Sequence, residues 1–191
     1  MSEVGPSGTY EFFARRLMLE YLKNNLLHGF QVSPFGAPVK SLIPVPIYVC
    51  AALAIGFRTG LFTTRVIDFP MSAILPFCLF IFPSLLEEAF FRGVLIPNNA
   101  ASHSSRKILL YVVLSTAAFV LWHPANALTI NRTAEGVFLN PAFLLIVTLL
   151  GITCAISYVY SRSLWIPVMI HWLTVVVWVI FLGGRNKLLE L

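Results

Sequence analysis

Residues 136–161 read GVFLNPAFLLIVTLLGITCAISYVYS, 26 consecutive positions without Asp, Glu, Lys or Arg. A helix needs about 20 residues to cross the hydrocarbon core of a bilayer. A run this long, with no polar–apolar alternation, predicts a membrane-spanning helix and not a barrel strand. Working outward, charge-free stretches recur at 163–184, 108–131, 69–86 and 41–57. The apolar character of 69–86 continues through a charged cluster to Ile96. Pro44 and Pro46 crowd the start of the first stretch and place its helix mainly from Val45 onward. The expectation is an all-α polytopic membrane helix bundle with about five transmembrane helices.

Composition agrees. Of 191 residues, 58% are apolar and 11% are charged, against roughly 25% charged in an ordinary soluble domain. This excludes a disordered chain, a disulfide-stapled secreted module and a typical soluble enzyme. The net charge is +5, but the basic residues are scattered between apolar runs and form no stripe. They read as flanks facing lipid headgroups, so the expected partner is a lipid bilayer and no nucleic acid. Cys50, Cys78 and Cys154 lie within apolar runs without a CxxC pair, and are expected as buried thiols that pack as small apolar groups. Residues 10–30 place Phe13, Leu17, Tyr21 and Leu27 near one helical face. This predicts an N-terminal amphipathic helix at the interface or packed under the bundle. The chain therefore divides into an amphipathic segment and linker (1–40), a membrane-embedded helical domain (41–184) and a short polar tail (185–191).

Five ionisable residues sit where a membrane span excludes them: Glu87, Glu88 and Arg92 in one stretch, His123 and His171 in two others. Each costs about 2.5–3.5 kcal/mol near the bilayer centre on insertion scales. Five on three helices point to a functional site more than to a structural lock. Glu88 and Arg92 are four apart, share a helical face and can pair. Glu87 is turned by about 100° from Glu88, which leaves it as the reactive carboxylate. Phe119 lies four before His123, on its face, and Asn126 lies close by. One carboxylate and two histidines supply a general base and two orienting or oxyanion-stabilising groups. They could also bind zinc, but no HExxH is present, so neither a metal nor another cofactor is expected.

Residues 87–92 form an EExxxR box (EEAFFR), 119–123 an FxxxH box (FVLWH), and 164–172 (LWIPVMIHW) a third, histidine-bearing box. In order and placement these resemble the CPBP (Abi) family of intramembrane glutamic proteases, which includes CAAX prenyl proteases and bacteriocin-processing proteins. The resemblance covers roughly residues 68–183. It implies an intramembrane endopeptidase that hydrolyses membrane-associated peptides or proteins with a glutamate-activated water. Glu87 would activate the water, His123 would hold it or help the proton transfer, and His171 would stabilise the oxyanion. Glu88, Arg92 and Phe119 would support the site. The family's third box often reads HxxxN, and here the fourth residue after His171 is Val175. Either another group, such as Thr174 or Asn126, then substitutes for the missing donor, or cleavage is slow or absent. The form of the third box resembles a bacterial branch, implying a multi-pass protein of a bacterial plasma membrane, with a thylakoid as the alternative.

Two other functions compete. Val175 raises a non-catalytic relative that binds or stabilises membrane partners. Glu and His at membrane depth also suit a proton-linked transporter, though no inverted repeat is visible.

Overall fold

The computed structural model describes residues 6–66 and 74–184. The expected tail at 185–191 and residues 69–73 of the second apolar stretch lie outside them. The α-helices are α1 (Pro6–Gln31), α2 (Pro44–Arg58), α3 (Leu75–Leu79), α4 (Leu86–Glu88), α5 (Ser105–Thr129), α6 (Glu135–Phe138), α7 (Pro141–Ser161) and α8 (Trp165–Phe181). Two π-helical stretches, Phe80–Leu85 and Ala89–Val94, flank α4. The described residues form an all-helical membrane bundle. Val39–Arg58, α5 and α7 are long and apolar enough to cross a bilayer, and α8 is a shorter apolar helix of 17 residues.

α7 is the centre. Asn140 caps its first turn, its side-chain oxygen accepting from the Ala142 and Phe143 amides, with Pro141 at the first helical position. Arg162, at φ 58°, ends it in the left-handed region. α2, α5 and α8 all pack on α7. Of its most apolar 18-residue window 61% is buried by protein, against 28% for α5 and 22% for Val39–Arg58. Close approach to α5 depends on Gly151, where a Cβ would lie 3.0 Å from Thr116 Cγ2 and 3.2 Å from Phe119 Cδ1. The less buried helices turn Leu53, Leu110, Leu114 and Leu121 outward, the surface that lipid covers.

That distinction corrects the expectation for the thiols. Cys154 on α7 is buried, whereas Cys50 on α2 and Cys78 on α3 are exposed. An apolar run in a membrane protein faces lipid as readily as protein, so residence in one does not imply a place in the core.

The second apolar stretch is not one continuous helix. Phe82 leaves helical geometry (φ −131°, ψ 122°) and the Phe82–Pro83 peptide is cis. Pro83 has no N–H to offer Leu79 O, four residues back. The fully buried Ser84 hydroxyl donates to that carbonyl instead, at 2.8 Å. Irregular backbone persists at membrane depth where protein satisfies it in this way.

For α1 the structure excludes one of the two expected placements. Phe13, Leu17, Tyr21 and Leu27 are all exposed, so the expected apolar face does not pack under the bundle. The contact that holds it combines Leu26 and Phe30, packed on the cluster around Ile96 and Leu164, with a polar anchor: Asn25 donates to Gly93 O (2.6 Å) and Ile96 O (2.9 Å) and accepts from the Asn98 amide (2.6 Å). Further on, the Leu164 amide donates to Gly29 O at 2.8 Å and Trp165 Nε1 to Phe30 O at 2.9 Å. The end of α1 thereby clamps the exit of the broken segment and the start of α8.

Candidate active site

The broken segment, α5 and α8 bring all five ionisable residues together, and each is at least nine-tenths buried. Arg92 Nη1 donates to Glu88 Oε1 at 2.9 Å, one helical turn back, and Nη2 to Gly151 O on α7 at 3.1 Å. Its guanidinium carbon stands 4.5 Å from the centre of the Phe119 ring. A buried ion pair survives desolvation only with good geometry and further hydrogen bonds. Here the glycine that lets α5 approach α7 also supplies one of those acceptors.

The same Glu88 oxygen accepts from His171 Nδ1 at 2.9 Å. His171 Nε2 then lies 4.0 Å from Glu87 Oε2. The two adjacent carboxylates thus address opposite nitrogens of one imidazole, one in hydrogen-bond contact and the other beyond it. His123 is held differently, with Nδ1 donating to Phe119 O on its own helix at 2.9 Å. With the proton placed there, Nε2 of neutral His123 is an acceptor. Phe119 is fully buried and meets both histidine rings edge-on, at 5.0 and 5.5 Å between centroids. It fixes the two rings and Arg92 in one apolar contact.

Glu87, His123 and His171 open onto a cavity of about 230 Å³. Its remaining wall is largely apolar, with Phe82, Phe138, Phe143 and Trp178 prominent. Asn126, Thr174 and Val175 also line it. Thr174 donates its only hydroxyl proton to Ile170 O at 2.8 Å and accepts from Tyr48 at 3.3 Å. Asn126 Oδ1 is buried without a hydrogen-bond partner among the described residues, a free acceptor beside the cavity. No group of three His, Cys, Asp or Glu among the described residues is arranged to hold a metal ion.

Two contributors carry little signal in the sequence. Tyr48, in the first apolar stretch, reaches the cavity wall because α2 packs on α7. Trp122 donates from Nε1 to Glu87 Oε1 at 3.1 Å. Its position directly before His123 was the one available hint. The site therefore has a carboxylate able to take a proton, an imidazole acceptor, and an imidazole backed by a second carboxylate and an arginine. That is the equipment for adding water across a carbonyl in a largely apolar chamber.

No curated protein and no solved structure matches the chain. A family model described as type II CAAX prenyl endopeptidase Rce1-like matches residues 69–177. The matched span runs from the broken segment to beyond His171 and contains all three boxes. This chain belongs to the Rce1-like family of type II CAAX prenyl endopeptidases, which are membrane proteases.

Proposed function

We propose that this protein is an intramembrane endopeptidase that cleaves peptide bonds of membrane-associated substrates with a water activated by Glu87. The observation that carries the reading is the placement of Glu87. Its Oε2 is buried without a hydrogen-bond partner among the described residues, at the cavity shared by His123 and His171. Water held by His123 Nε2 gives a proton to Glu87 as its oxygen bonds to the scissile carbonyl carbon. The carbonyl electrons move onto oxygen, and the doubly protonated form of His171 offers Nε2–H to that oxyanion. When the intermediate collapses, the C–N bond breaks and Glu87 returns the proton to the leaving amine. Glu88 and Arg92 orient His171. The apolar wall favours apolar side chains or a lipid-bearing segment beside the scissile bond.

The test compares purified wild type with Glu87→Gln on co-expressed candidate membrane peptides. The glutamine keeps the shape and removes the base, so cleavage falls by at least about 10²-fold while detergent stability holds. Cleavage should also survive strong chelators, and about one tightly held zinc per chain, lost in His123→Ala, overturns the mechanism. A folded wild type that binds membrane partners and cleaves nothing supports the non-catalytic reading raised by Val175.

A further inference from the structure

The Glu87 carboxylate has two oxygens, and only one of them can take the proton of a given water. A carboxylate turns about its terminal torsion with little resistance, so something must decide which oxygen does so. Among the described residues, the one hydrogen bond this carboxylate accepts comes from Trp122 Nε1, to Oε1 at 3.1 Å. Oε2 has no such partner, and His171 Nε2 at 4.0 Å is beyond hydrogen-bond range. The indole is itself fixed, packed against the cluster that includes Phe91, Phe119 and Phe143. An indole N–H donates and cannot accept, so it holds a carboxylate oxygen in one sense only.

We infer that Trp122 is a positioning residue for Glu87: it ties down Oε1 and thereby fixes the turn of the carboxylate, leaving Oε2 as the oxygen free of a hydrogen bond to take the proton. The inference rests on the reading of Glu87 as the base. Trp122 and His123 are consecutive on α5, so one helix sets both the orientation of the base and the imidazole beside it. A shift of α5 displaces them together, which keeps their mutual geometry while the rest of the bundle adjusts.

The experiment replaces Trp122 by β-(3-benzothienyl)alanine, which has the shape of tryptophan with sulfur in place of N–H, and in parallel by Phe. The full chain is reconstituted in phosphatidylcholine liposomes with an apolar peptide that wild type cleaves. Both variants should lose about 10- to 10²-fold in kcat with KM unchanged. Ultraviolet resonance Raman spectra, as wild type minus Trp122→Phe, should show a hydrogen-bonded indole N–H that weakens in Glu87→Ala. Unchanged kcat in the benzothienyl variant, while Glu87→Gln is inactive, overturns the inference alone. A raised KM with unchanged kcat also overturns it, because the indole would then shape substrate binding. An active Glu87→Gln enzyme removes the reading beneath it, and the Raman comparison still reports whether the hydrogen bond exists.

Discussion

His123 and His171 present imidazoles to the same cavity, yet one ring is held by its own helix and the other by a different segment. His123 donates to Phe119 O, four residues earlier on α5, and His171 donates to Glu88, 83 residues away in sequence. The first anchor is a backbone carbonyl that cannot be mutated away and moves with its histidine. The second is a side chain whose own place depends on Arg92 and, through it, on Gly151 O. The histidine on α5 should therefore tolerate changes elsewhere, and the histidine on α8 should report every disturbance of the buried ion pair.

The largest effect expected is from Arg92→Leu. It leaves the buried Glu88 with His171 in place of a fixed guanidinium, a loss of up to about 3–5 kcal/mol, seen as a large fall in thermal stability in detergent. Glu88→Leu combined with Arg92→Met removes both charges and should recover most of that stability. Cleavage should stay low in the double variant, because His171 has lost its acceptor. Wild-type cleavage there would show that His171 needs no cross-segment anchor, and the contrast between the histidines would collapse.

Next in size is Val175→Asn. α5 adds Asn126 to the cavity three residues after His123, whereas α8 adds Val175 four after His171. An amide at 175 supplies a donor beside His171, with a gain in cleavage of up to about 10²-fold and a stability cost of about 1–3 kcal/mol if it finds no partner. A folded variant with unchanged, measurable cleavage would mean that another group, such as Asn126, already serves the oxyanion.

The smallest effect is a pair of double-mutant cycles. Glu88→Gln with His171→Gln should show a coupling of about 0.5–3 kcal/mol in denaturant stability, and Glu88→Gln with His123→Gln should be additive within about 0.5 kcal/mol. Equal couplings in the two cycles would contradict the separation drawn from the hydrogen bonds.

The amino-acid sequence alone determined the membrane class, the charge-free stretches and the Glu88–Arg92 spacing. It also marked the polar residues that lipid should exclude. These follow from chain-local quantities: the thickness of a bilayer, the 3.6-residue turn, and the cost of ionisable groups in hydrocarbon. The three boxes were legible as residue patterns, and the family through their resemblance to its motifs. The tertiary structure decided which nitrogen each imidazole commits and which oxygen of Glu87 accepts a hydrogen bond. It also brought Tyr48, Trp122 and Gly151 to the site, left Cys50 and Cys78 outside the core, and gave α1 its polar clamp at Asn25. Those outcomes depend on how each helix is rotated about its axis. In water an apolar stripe announces that rotation, but in a bilayer the lipid-facing and protein-facing sides are equally apolar. The orientation is then settled by small residues and a few buried hydrogen bonds, whose partners lie tens of residues away in the chain.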